Sequence, residues 1–520
     1  MAKAGITVKN EGDKMKNEGD KIRGDSSGSL KKRMSRIPAP LAFVLVVAAV
    51  YFIVFAAFTM NRHEVYSSAR FDLGNMDQAV WNTSEGRVLE NTSIEGENRS
   101  RLANHADFLL IAFAPLYWIS ASPHWLLAIQ AAVVGLGALP LFWLARRFLK
   151  REWPAALIAG AYLFNPGLQS ANTFDFHSQT LAGTFLLFTF HYLLERRLWP
   201  FVFFAVLASF CKEEISLLVA MMGLYMIFVE RRARWGIPVF AAGVAYFLFV
   251  MFAVIPAFNE GGASELVAER YGPVGGSIGG VFMTFLTDPV AVLGHVFTTD
   301  KLLYLTHLVG LGGMLGLLSP AILLIPLPEI AINLLADRDQ MTNINYHYSA
   351  PIIPFMYVGC AAGLAAVARF LSKRNVSDEL LRLAPLMFCG WVLFMNAYMA
   401  FGYGPLPFAE FHRNNPVAMQ SLPPERVENI DEAVSLVPDD AKVSASNWIG
   451  AHLAHRTHLY LFPTIGDADY VVVDLARASH FTDVDREKAQ RVLQNDLIEN
   501  PDFEPIFSEA NVAVFQRVSE

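Results

Sequence analysis

Residues 40–60 run for 21 positions without a charged side chain. A helix needs about 20 such residues to cross the hydrocarbon core of a bilayer. Comparable apolar runs follow at 124–145, 153–171, 178–194, 198–212, 214–230, 236–257, 302–317, 319–336, 349–370 and 384–402. The pattern predicts an α-helical polytopic membrane protein with about eleven transmembrane helices. Composition agrees: 54% of residues are hydrophobic and 17% charged, with a mean hydropathy of +0.35. Soluble domains carry roughly 25% charged residues, so a soluble enzyme and a disordered chain are both excluded.

Charge orients the spans. Basic clusters stand at Arg146, Arg147, Lys150 and Arg151, at Arg196 and Arg197, at Arg231, Arg232 and Arg234, and at Arg369, Lys373 and Arg374. If all four face the cytoplasm, the positive-inside rule fixes the N-terminus inside and the C-terminus outside. Residues 108–119 are then too short to cross, and a crossing would move Arg146 and Arg147 outside. They are expected to lie on the outer surface as an interfacial helix within a long first outer loop, 61–123. The pair 302–317 and 319–336 is the least constrained; one tilted helix there would invert everything after it.

Two segments lie outside the spans. Residues 1–38 are polar and carry a tandem repeat at 8–14 and 15–21 (V/M-K-N-E-G-D-K), which reads as a disordered basic cytoplasmic tail. Residues 405–520 follow a linker marked by Pro405, Pro407, Pro416, Pro423 and Pro424, and hold nineteen Asp/Glu against nine Lys/Arg. Helices are expected at 425–436 and 485–497, and strands at 442–446, 470–474 and 512–517, making a small extracytoplasmic α/β domain. So acidic a domain argues against a nucleic-acid partner. Cys211, Cys360 and Cys389 all fall in apolar runs, so no disulfide framework is implied.

Polar residues near membrane depth are costly, and here they collect at the outer ends of spans. Asp72 and Asp77, with Gln78, sit in the first outer loop, and His105 and Asp107 follow there. The loop after the third span holds Asp175 and His177, Lys212-Glu213-Glu214 separates two spans, and Arg338 and His347 precede the tenth. Asp72 could act as a general base on an acceptor hydroxyl; its plainer reading is an N-cap for a helix starting at Leu73. Asp77, five residues on, is about 140° away around a helix and reads as supporting. His105-x-Asp107 and Asp175-x-His177 point one way on extended backbone and could hold a divalent metal or position a substrate. Lys212 could bind a lipid phosphate with Glu213 and Glu214 orienting it; otherwise the three simply neutralise one another.

Several longer motifs bear a resemblance. F-D-L-G-N-M-D-Q-A-V-W-N (71–82), N-H-A-D-F-L-L (104–110), A-L-P-L-F-W-L-A-R-R (138–147), F-N-P with D-F-H-S (164–178), C-K-E-E (211–214) and Y-H-Y-S-A-P-I-I-P-F (346–355) resemble a family of prokaryotic polytopic membrane proteins of unknown function. That family is similar to the GT-C glycosyltransferases. The resemblance covers roughly residues 40–400 and continues more loosely beyond. It implies a GT-C-like fold in the plasma membrane and a donor sugar carried on a polyprenyl phosphate outside the cytoplasm. By position Asp72 matches the first-loop catalytic acid, 108–119 the interfacial helix, and Lys212 a basic residue ending a span. The acidic element here is D-x-x-x-x-D, a departure from the adjacent acidic pair of several GT-C families.

The first expectation is therefore a membrane glycosyltransferase with Asp72 as base and Lys212 or Arg338 as the cation on the departing phosphate. A transporter or lipid flippase is the second; it would show an internal repeat and midplane polar groups, and neither is evident. A non-catalytic GT-C-like scaffold is the third, because fold alone does not give function.

Overall fold

The computed structural model describes residues 37–259, 265–374, 376–409, 422–477 and 483–518. The tandem repeat at 8–21, and residues 410–421 of the proline-rich linker, lie outside the described residues. Among the described residues five helices, fewer than the eleven expected, are each long and apolar enough to cross a membrane: Ala39–Glu64, His124–Leu149, Ala233–Phe258, His347–Ser372 and Asp378–Tyr403. Shorter helices pack among them, notably Glu152–Leu163, Ser178–Glu195, Leu198–Ser209 and Ile215–Phe228.

The helices share two ends. At one, Arg146 pairs with Glu152 at 3.3 Å, Arg147 with Glu195 at 2.8 Å and Arg196 with Glu230 at 3.6 Å. This end gathers the basic clusters, and it is the end that the positive-inside rule expects on the cytoplasmic side. At the other, His124 meets Glu64 at 2.8 Å and His105 meets Glu213 at 2.9 Å. The interfacial segment divides into a 3-10 turn, Phe108–Phe113, and a short helix, Ala114–Tyr117. Both of its ends stay in the outer layer: the Leu109 amide donates to the Phe210 carbonyl at 3.0 Å, and the Tyr117 hydroxyl donates to Asp77. It does not cross.

The expected pair 302–317 and 319–336 takes a different form. Thr299–Gly312 is a continuous helix, but its return is broken into Met314–Leu318, Pro320–Leu323 and Leu327–Leu335. The reversal lies beside Gly363, about halfway along helix Ile353–Ser372, where a Cβ would collide with the Leu315 carbonyl. Lys301, at the start of the pair, donates to the carbonyls of Leu334 (2.7 Å) and Ala336 (3.1 Å) at its finish. Both ends of the pair are therefore adjacent, and the orientation of later helices is unchanged. Pro320 and Pro326, which lack an N–H, stand at the breaks. The glycine-rich residues 272–277 join helices Glu265–Tyr271 and Ile278–Thr287.

The outer layer holds a hairpin, β1 (Glu90–Thr92) with β2 (Asn98–Ser100), and the C-terminal domain. That domain is a five-stranded mixed sheet in the order β4-β3-β5-β7-β6. Its strands are β3 (Val443–Ala445), β4 (Leu459–Leu461), β5 (Tyr470–Asp474), β6 (Phe503–Glu509) and β7 (Val512–Arg517). β3 runs parallel to β4 and β5, whereas β7 is antiparallel to β5 and β6. Alternation splits the V-V-V run: Val472 packs with Ile430 and Ala433 on one face, Val471 and Val473 with Ala489 and Leu497 on the other. Both faces are covered, which is why the run carries no polar position. Strands β4 and β6 were not anticipated; β4 has three residues and β6 is largely exposed.

Candidate functional site

The first outer loop is pinned to the C-terminal domain by buried polar contacts. Arg70, fully buried, donates to the Leu459 carbonyl at 2.7 Å and to the Thr92 carbonyl. The Phe71 amide donates to Asn447 Oδ1 at 2.9 Å, and the Tyr66 hydroxyl to Asp431 at 2.6 Å. Between these anchors, residues Arg70–Gly74 wind as a π-turn, and a Cβ on Gly74 would stand 3.1 Å from the Ala451 Cα. Asp72 lies inside this turn with no capping bond, so the N-cap reading does not hold.

Asp72 instead meets His177, Oδ1 to Nε2, at 3.3 Å. Its side chain is 18% exposed, and its second oxygen has no protein partner among the described residues. The His177 Nδ1 stands 3.0 Å from the Phe174 carbonyl, and the ring stacks on His347 with centroids 3.7 Å apart. Tyr348 continues the row, and the Lys212 ammonium lies 5.7 Å from its ring centre. Lys212 pairs with Glu214 at 2.6 Å and reaches Gln179 at 3.3 Å; Gln179 in turn donates to the fully buried Glu329 at 2.6 Å. Asp72, His177, His347, Lys212 and Glu214 thus form one contiguous polar row.

Glu213 turns the other way. It accepts from the Ala106 amide at 3.0 Å and meets His105 Nδ1 at 2.9 Å, tying the first outer loop to the turn before helix Ile215–Phe228. Burial alone would raise its carboxyl, but His105, Lys212 and the Ala106 amide outweigh burial and hold it well below the usual carboxylate range.

The two i, i+2 pairs do not act as pairs. Asp107 accepts from Arg101 and from Ser178 at 2.9 Å, while its neighbour His105 goes to Glu213. Asp175 accepts from Arg62 and from the Ala69 amide at 2.8 Å, while His177 goes to Asp72. Burial raises the Asp175 carboxyl above its ordinary value despite the Arg62 charge against it. Each pair is split because its backbone runs between two packed layers that offer different partners. Among the described residues no group of three or more His, Cys, Asp or Glu side chains is placed to hold a metal ion. The expected metal ligands His105, Asp107, Asp175 and His177 therefore do not fit one.

Asp77 and Gln78 are also committed elsewhere. Asp77, 1% exposed, lies 2.9 Å from His455 and accepts from Tyr117. Gln78 accepts from the Thr92 amide at 3.0 Å and donates to the Arg456 carbonyl at 3.0 Å. Both fasten the C-terminal domain and face no open space. Arg338 pairs with Glu269.

Arg270, just before Tyr271, acts on the charges of Lys212 and His347, and its Nε is buried without a partner. It was missed in sequence because its segment shows no apolar run. Arg62, Glu329 and the junction histidines His63, His452 and His455 were also missed. Charges at the end of, or within, an apolar run could have flagged Arg62 and Glu329.

No curated protein matches the sequence. The crystal structure of ArnT from Cupriavidus metallidurans bound to undecaprenyl phosphate is similar, with 12% identity and a TM-score of 0.48, covering 90% of this chain and 98% of that one. The family model described as "Predicted membrane protein (DUF2079)" matches residues 62–507, from the end of the first span almost to the last strand, and the chain belongs to that family.

Proposed function

We propose that this protein is a glycosyltransferase that moves a sugar from a polyprenyl-phosphate-linked donor to an acceptor hydroxyl at the outer membrane face. The observation that carries the reading is the Asp72–His177 pair, part-open, in a row that ends on Lys212. The Phe174 carbonyl accepts from the Nδ1–H of His177 and so turns the Nε2 edge of the ring toward Asp72. Asp72 removes the proton from the acceptor hydroxyl as the oxygen attacks the sugar's anomeric carbon. The bond from that carbon to the phosphate oxygen breaks, and its electron pair leaves on the lipid phosphate. Lys212 and Arg270 supply fixed positive charge where that anion develops. A lipid-borne donor cannot leave the membrane boundary, which accounts for a site at the ends of spans rather than in the exposed domain.

The test compares lipid-linked sugars extracted from cells with the protein, without it, and with Asp72→Asn. One polyprenyl-linked sugar should accumulate in the second and third, with Asp72→Asn protein present in normal amount. Loss of a general base costs about 10²–10⁴-fold in rate. A fully active Asp72→Asn protein, or an unchanged lipid-sugar profile in its absence, would refute the proposal.

A further inference from the structure

The end of the molecule opposite Asp72 carries a second feature. Helices Ala138–Leu149 and Ser178–Glu195 finish side by side there, and a cleft of about 680 Å³ opens between them. Two of its cations are neutralised within the protein, Arg146 by Glu152 and Arg147 by Glu195. Lys150 and Arg197, also in its lining, have no acidic partner among the described residues. One wall is aromatic: Trp143 lies against His191, ring centres 5.0 Å apart, and the His191 Nδ1 is buried without a partner. Next to Arg197, Leu198 is 44% and Trp199 80% exposed, an apolar and aromatic edge of the kind found at a membrane boundary.

We infer that this cleft binds a phosphate group presented at the cytoplasmic membrane boundary, the head group of an anionic lipid. Both helices end here with their C-termini, whose partial negative charge repels anions. Attraction must therefore come from side chains, and Lys150 and Arg197 are the two whose charge is not already spent. Solvated basic residues are common on cytoplasmic faces; a cleft with an aromatic wall and a buried, unpaired imidazole nitrogen is a more specific arrangement. Acyl chains leaving such a head group would run along the exposed Leu198–Trp199 edge.

The test uses the full chain in phosphatidylcholine nanodiscs, with binding of added phosphatidylglycerol followed by native mass spectrometry. Each basic residue near an anionic surface contributes about 1 kcal/mol, so Lys150→Gln/Arg197→Gln should weaken binding about thirtyfold. Arg369→Gln/Lys373→Gln removes the same charge from the same face outside the cleft and should leave binding within about threefold. Equal loss in both variants, or no binding by the wild type, would overturn the site. Inorganic phosphate is the second arm: if it binds at millimolar concentration and the lipid does not, the lipid source is wrong. Should the cleft variant fail to fold, Lys150→Arg/Arg197→Lys keeps the charges and must keep the lipid, and Lys150→Gln alone must lose about fivefold.

Discussion

The Asp72 carboxylate and the His177 imidazole meet at 3.3 Å although three apolar segments separate them in the chain. His177 packs against both Phe174 and His347, with ring centres 5.4 and 3.7 Å away, and those two rings also touch each other at 5.8 Å. Its orientation is therefore fixed by packing, and its free edge faces the carboxylate.

His177→Gln should keep the fold and lower turnover about ten- to a hundredfold, less than Asp72→Asn. The loss should fall on kcat rather than on KM. An unchanged kcat would show that His177 only fills space.

The C-terminal domain holds the turn that carries Asp72. Gly74→Val adds atoms where even a Cβ stands 3.1 Å from the Ala451 backbone. Turnover should drop at least tenfold while helical content stays normal, and Asn447→Ala, which removes the partner of the Phe71 amide, should show a milder form of the same defect. Wild-type rates in both would mean that the docked domain does not position Asp72.

Lys212 is the positive member of a buried group that includes Glu214 and Glu329. Lys212→Met leaves those carboxyls uncompensated, and breaking a buried pair typically costs about 3–5 kcal/mol. Thermal unfolding in detergent should register the loss, and Glu214→Gln in the same background should recover part of it. Equal stability of the single and double variants would argue against the pairing.

Two histidines at the domain junction give opposite pH dependences. Burial lowers His452, stacked on His63, to about 4. Burial would lower His455 too, but the Asp77 carboxylate outweighs it and raises the imidazole above its ordinary value. An unfolded imidazole titrates near 6.5. The His452 contribution is present above that pH and is lost as pH falls toward 4. The His455 contribution is complete below about 6.5 and is lost as pH rises through its raised value. The melting temperature should therefore peak near pH 6.5. His452→Phe should flatten the acid side and His455→Gln the alkaline side; a monotonic curve for the wild type would contradict the assignment.

Hydrophobic runs located the long apolar helices and, through alternate loop charge, the gathering of basic residues at one end, but they did not determine which runs are long enough to span: eleven were expected and, among the described residues, five are. The V-V-V strand was legible for the same reason, since burial on both faces leaves a continuous apolar run. Even the collection of Asp72, His177, Lys212 and His347 at one face follows from counting spans. Their partners do not. His105-x-Asp107 and Asp175-x-His177 look like local pairs, yet each of the four takes a partner from another segment. Arg270 and the docking of the C-terminal domain onto Arg70 and Gln78 left no periodic trace at all. Burial is a property that each residue carries and repeats along a helix or strand, so sequence displays it. The choice of partner for a buried charge depends on which surfaces packing brings within about 3 Å, and only the tertiary structure sets that distance.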